Sequence, residues 1–320
     1  MKEIHCKTAV DFIAHLRIGH ELWGGQPNWD WGFRGQGNVD WALMPSAFRP
    51  GTLLSFADDG VTGPLVDLNE QHWREYKLIQ HFLFLADRVG LSVPGDAQHF
   101  RLPPNRVDPR WNPDHWPPDD VLDTLAIAQH HGVPTRLLDI THNPLIAAFF
   151  AADDARQPDK VKGAKRLGVW AVDLSMIRQA SLHEESRLIH VTAPRASNSF
   201  LHHQDALFLL DRKLSERFRQ TGRFETIDEA VVHTERLVQT LDGSKLRYYQ
   251  PSPGSPMVKV TAPIDLAMDI LDLLDREFYN RARIMPTHDN VVDALKWERT
   301  LNAHRRSRGM LPAVTFGPKY

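Results

Sequence analysis

The 320 residues carry 38 Lys plus Arg against 40 Asp plus Glu, a formal net charge of −2, with 42% hydrophobic and 24% charged residues. This is the balance of a globular chain with a substantial core, and it excludes a uniformly basic nucleic-acid coat. The single cysteine, Cys6, excludes an intrachain disulfide and a zinc cluster built from thiolates, and no run approaches the roughly 20 apolar residues that span a bilayer. The N-terminus also lacks the apolar core of a signal peptide, so the expected location is a reducing cytoplasm, away from membranes.

In chain order, Thr8 reads as the cap of a helix with Val10, Ile13 and Leu16 on one stripe, ending near Gly19. "WGFRGQ", residues 31–36, reads as a strand that closes on Arg-Gly. Residues 42–68 are broken by Pro45, Pro50, Gly51, Gly60, Gly63 and Pro64 and read as loop. Asn69 is taken as the cap of a long helix that buries Trp73, Tyr76, Ile79 and Leu83. Six prolines between 103 and 118 then forbid a helix or central strand and predict an ordered loop studded with tryptophan.

Asp119 or Asp120 opens a helix whose stripe, Leu122, Leu125 and Gln129, turns a polar amide toward the core. "TRLLDIT", 135–141, reads as a short strand, and Asn143 followed by Pro144 starts a helix of small and aromatic residues. "LGVWAVD" and "PMVKVT" are two later strands, at 167–173 and 256–261. A last amphipathic helix from Pro263 has Ile264, Met268, Leu271 and Leu274 inside, with Asp265, Asp269, Asp272 and Asp275 outside as a solvated face. The best linker candidate is "PSPGSP", 251–256, but the chain after it is short for a separate domain.

Chemistry concentrates in "AQHHGVPTRLLDITHNPLIAAFFAA", 128–152, which sets Gln129, His130, His131, Thr135, Arg136, Asp139, Thr141 and His142 beside apolar runs. Groups buried there need partners, at about 1–3 kcal/mol for each left unsatisfied, so they form either a structural network or a site. A metal centre at His130, His131, Asp139 and His142 is set aside, because adjacent helical histidines point about 100° apart and no recognised ligand spacing is present. An arginine placed before a glycine, as at Arg34 and Gly35, suits a phosphate lying against main chain. No phosphate loop, dinucleotide glycine fingerprint or serine nucleophile elbow occurs.

"WGFRGQGNVDWALMPSAFR" followed by the 128–152 segment closely resembles the FRG domain family, named for its Phe-Arg-Gly motif. Phe33, Arg34, Gly35, Leu43, Pro45 and Arg49 carry the first block. Gln129, His130, Gly132, Pro134, Thr135, Arg136, Leu137, Leu138, Asp139, Thr141, Pro144, Ala147, Phe150 and Ala151 carry the second. Weaker matches around Gln204 and at 282–291 extend the likeness and imply one elaborated domain over 1–320.

The order of elements is in turn similar to the NAD-contacting part of the ADP-ribosyltransferases. That resemblance implies an α+β fold with a small curved mixed or antiparallel sheet flanked by helices, with NAD as substrate and no metal. It implies Phe33, Arg34, Gly35, Gln129, Arg136 and Thr141 as NAD-binding residues, with Arg34 the phosphate or ribose anchor and Thr141 the hydroxyl. Asp139 would stabilise the charge that develops on the sugar, His131 would orient or deprotonate an acceptor, and Gln204 stands at the late motif. The implied activity is an effector of toxin or phage-defence type that transfers ADP-ribose to a macromolecule such as RNA or DNA and is held by an antitoxin or inhibitor protein. "KVKGAKR" at 160–166, "HRRSR" at 304–308 and the tryptophans of the proline loop are the candidate nucleic-acid contacts. An NAD glycohydrolase and a non-catalytic nucleotide- or RNA-binding module are the alternatives.

Overall fold

The computed structural model describes residues 1–55, 60–91, 102–103, 105–108, 111–192, 203–241 and 255–310. Its centre is a seven-stranded mixed sheet whose strands run from β1 (Lys2–His5) through β2 (Trp31–Gln36), β5 (Leu138–Thr141), β6 (Arg166–Asp173), β7 (Leu188–Val191) and β8 (Ala206–Asp211) to β9 (Met257–Pro263). The spatial order is β1-β9-β6-β2-β5-β8-β7. Only β1 and β9 are parallel, and the other neighbours are antiparallel. A separate two-stranded ribbon pairs β3 (Thr52–Leu53) with β4 (Thr62–Gly63). The sheet reaches into residues 256–261, so the linker candidate leads into a strand. Residues 251–254 of that segment lie outside the described ones.

Helices cover both faces. On one, α1 (Ala9–Leu16), α4 (Pro144–Ala155) and α8 (Ala267–Arg276) pack on Trp31, Phe33, Leu167, Val169, Val258 and Val260. Beside them, α2 (Leu68–Arg88) and α3 (Leu122–His130) pack on Phe208 and Leu210 at the β8–β7 edge. The opposite face, Leu138, Ile140, Trp170, Val172, Leu207 and Leu209, is closed by α5 (Leu174–Ala180) and α7 (Ile227–Thr240). The short α6 (Leu214–Thr221) precedes α7. Alternation along the strands explains the division, since neighbouring residues face opposite ways.

Three local expectations change. The cap of α2 is Asp67, which accepts from the amides of Asn69 and Glu70, so the helix starts before Asn69. In α1 the inner stripe is Ala9, Phe12, Ile13 and Leu16, while Val10 is exposed. The acidic face of α8 is not solvated. Two further helices, α9 (Arg281–Ile284) and α10 (His288–Ser307), follow, and α10 lays basic side chains on that face. Asp272 is 2% exposed and pairs with Arg305 and Arg276; Asp269 pairs with His304 and Arg308, both at 2.7 Å. Buried carboxylates require such partners, and the "HRRSR" cluster is largely consumed in supplying them. No helix among the described residues is long and apolar enough to cross a membrane.

Candidate functional site

The sheet is interrupted between β2 and β5. β2 pairs with β6 along all six of its residues but with β5 only at Phe33 and Thr141. Continuing that antiparallel register would set Gly35 opposite Asp139, and no ladder pair forms there. Arg34 fills the opening: its Nη1 donates to the Asp139 main-chain oxygen at 2.8 Å and pairs with the Asp139 carboxylate at 2.8 Å. Arg34 thus supplies a bond that the ladder lacks and presents a charge at the seam.

Asp139 lies deep in the protein's mass, yet its side chain is 51% accessible because it opens into a cavity of about 410 Å³. Burial pushes its carboxyl upward, and the charges of Arg34 and Arg49 with the Arg34 hydrogen bond outweigh it, holding the group below the usual carboxylate range. The cavity is also lined by Gln129, His130, His131 and Gln204. It sits where α3 and α4, packed on different parts of one sheet face, leave the sheet uncovered between them. Gln129 is held by Ser46 and Thr135, whose hydroxyls both donate to its Oε1 at 2.9 Å. Its Nε2 is thereby turned to Asp139, at 3.3 Å.

On the other side of the pair, Arg34 lines a larger cavity of about 810 Å³ whose wall is mostly apolar, with Trp41, Phe218 and Phe224, and which includes Arg49. Sequence reasoning placed Arg49 in the family motif without giving it a role. Nothing in a lone arginine after a loop signals that the fold will set it near Arg34.

Four of the expected NAD contacts are placed otherwise. Phe33 is 0% exposed and packs edge-on against Trp23 in the core. A Cβ on Gly35 would lie 1.8 Å from the Ala147 carbonyl oxygen, so this glycine is required by the close approach of α4 rather than by a dinucleotide, although its backbone borders the larger cavity. Arg136 is buried, its Nε and Nη2 bound to Glu75 at 2.7 and 3.1 Å and its Nη1 to the Trp116 carbonyl at 3.1 Å. It anchors α2, the proline loop and the start of β5 to one another. Thr141 is buried too: its hydroxyl donates to the Gln204 carbonyl at 2.6 Å and accepts from the Asn143 amide at 3.0 Å, which holds the chain ahead of β8 in place. In that turn Asp205 adopts φ +46, a left-handed conformation that is uncommon outside glycine.

The tryptophans of the proline loop face inward. Trp116 donates to Glu75 at 3.0 Å, and Trp111 packs on Tyr76 with ring centres 4.4 Å apart. They are core, not stacking platforms for bases. Cys6, Asp11 and His15 bring donor atoms within 4.8 Å at the β1 edge of the sheet, where burial and Asp11 push the thiol up to about 12.

Two histidines make stability depend on pH. His72 is held down to about 4 by burial and by Arg136; its Nε2 lies 2.9 Å from the Ser215 hydroxyl. His130 is held down to about 4 by burial and by His131. An unfolded histidine takes its proton near pH 6.5, so between about 6.5 and 4 the unfolded chain binds more protons than the folded one. The melting temperature should therefore fall as pH drops through that window, on the order of 1.4 kcal/mol per pH unit for each fully neutral histidine, and keep falling below it as the depressed carboxyls of Asp139 and Glu75 take protons. A melting temperature that rises or stays flat from pH 6.5 to 4.5 would contradict the burial of these rings.

A family model for the FRG domain matches residues 30–160, which takes in β2, Arg34, Arg49, Gln129, Asp139 and α4. Over those residues the chain is similar to the FRG domain. Comparison with curated proteins and with solved structures finds no match. That segment holds the seam and part of the smaller cavity, with Gln129, His130, His131, Asp139 and Phe150. The chain beyond residue 160 adds β6, β7, β8 and β9 of the same sheet and the rest of the cavity wall, Gln204 included.

Proposed function

We propose that the seam is the catalytic centre of an ADP-ribosyltransferase that cleaves NAD and passes ADP-ribose to a macromolecular acceptor. The observation that carries this reading is the Arg34–Asp139 pair at the break between β2 and β5, with a cavity on each side of it. An ADP-ribosyltransferase-like fold belongs to the same proposal and is supported by the interrupted mixed sheet. In the reaction the glycosidic bond between C1′ of the ribose and the nicotinamide nitrogen breaks, and its electron pair leaves with neutral nicotinamide. The positive charge left on the sugar is stabilised by the Asp139 carboxylate, kept anionic by Arg34 and fixed by Gln129. Gln204 orients the ribose, and His131 takes the acceptor's proton as the acceptor forms its new bond to C1′, both residues lying on the smaller cavity.

Water as acceptor, making the protein an NAD glycohydrolase, is favoured by one observation: the Asp139 carboxylate is open to solvent while "HRRSR" is largely neutralised. Incubation with NAD labelled in the adenine ring separates the readings. The transferase predicts label on a macromolecule from a cell lysate together with released nicotinamide. Free labelled ADP-ribose alone would identify a hydrolase, and no nicotinamide release in either setting would refute both.

A further inference from the structure

The larger cavity has positive charge without a matching anion. Of the four cations on its wall, Lys160 pairs with Asp154 and Arg223 with Glu229, which leaves Arg34 and Arg49. Asp139 engages Arg34 through Nη1. Arg49 donates its Nε to the Met44 carbonyl at 2.9 Å, which fixes the side chain, and among the described residues no carboxylate lies within 4.0 Å of its guanidinium. Burial and the nearby charge of Arg34 both hold its pKa down. The two arginines lie in a concave site of about 810 Å³ whose wall also carries the aromatic side chains of Trp41, Phe218 and Phe224.

We infer that this cavity binds a nucleoside diphosphate, with Arg49 as a second anion-binding arginine beside Arg34. Planar guanidinium forks match phosphate oxygens, and a diphosphate supplies the charge the pair lacks. A purine is the flat, largely apolar partner that aromatic side chains accept, and the volume falls within the usual range for small-molecule sites. Resting on the reading of the seam as the place of NAD cleavage, the assignment also orients the dinucleotide. Its ADP half occupies the larger cavity, and the nicotinamide ribose reaches Asp139.

The test is calorimetric titration of the whole chain with ADP, adenosine and pyrophosphate, for wild type, Arg49→Gln and Trp41→Ala. Glutamine keeps a donor for the Met44 carbonyl and removes the charge, so melting should be nearly unchanged. The wild type should bind ADP more tightly than either fragment, and Arg49→Gln should weaken ADP at least about tenfold. Trp41 lines the cavity and is 37% exposed, and its replacement should weaken ADP and adenosine but not pyrophosphate. Absence of ADP binding, or equal binding by the wild type and both variants, would overturn the inference. NAD turnover without ADP binding overturns it and leaves the cleavage reading standing. Arg49-dependent ADP binding without turnover supports it and removes the cleavage reading instead.

Discussion

Gly35→Ala should yield little or no folded protein. The new Cβ would lie 1.8 Å from the Ala147 oxygen and 2.8 Å from both the Ala147 carbonyl carbon and the Ala151 nitrogen, all backbone of α4. No side chain can rotate away to make room. The helix would have to leave the sheet, and with it the packing of Ala147, Ala148, Ala151 and Ala152 against the core would be lost. The expected cost is about 4 kcal/mol or more, at the far end of single-substitution effects. Gly19→Ala is the matched control: nothing lies within 4 Å of its Cβ position, and the change should stay within about 0.5 kcal/mol. The check is urea denaturation of both. A Gly35→Ala protein as stable as the control would mean that α4 does not sit on β2 as described.

The same glycine shows how far the sequence was legible. "FRG" announced a strand that ends against something close, and the identity of that something was beyond it. The helix of small residues at 144–155 and the glycine at 35 fit each other across more than a hundred positions, and no local pattern records such a contact. Local signals served well where chemistry is local: Thr8, Asn143-Pro144, and the strand patterns of 31–36 and 167–173 all formed what they imply. Between the strands at 167–173 and 256–261 the sequence signals are weaker, yet Thr226 and Glu229 form a reciprocal capping box at the start of α7, a local signal that the sequence does carry. The acidic face of α8 was misread because its neutralising partners lie on α10, thirty or more residues later. Arg136 was read as a ligand contact because a polar residue beside an apolar run looks the same whether a ligand or a buried glutamate meets it. Its partner, Glu75, belongs to a helix face that the apolar stripe did not flag.

Arg34 also has more than one task. A strand-end arginine was expected to be dispensable for stability. Its Nη1 instead replaces a missing ladder bond to Asp139, so Arg34→Ala should cost about 1–3 kcal/mol as well as activity. Arg34→Lys keeps charge without the planar fork and should restore little of either. Because removing Arg34 disturbs both the seam and the charge, it is the weaker probe of the chemistry.

Asp139→Asn is the sharper one. Asparagine has nearly the same shape and keeps one oxygen, enough for Arg34 or Gln129 but not both, while the main-chain oxygen that Arg34 also uses is untouched. The negative charge facing the smaller cavity is lost, together with one partly exposed side-chain hydrogen bond. If that charge stabilises the sugar cation, the expected loss is about 10²–10³-fold in rate, the size of effect seen when one electrostatic stabiliser is removed. The decisive measurement is nicotinamide release from NAD by wild type and Asp139→Asn at neutral pH, with the melting temperature of each recorded in the same buffer. The account predicts release by the wild type and a fall of at least about 100-fold in the variant with closely similar melting. Release that is unchanged in Asp139→Asn, or a wild type that releases none, would contradict it.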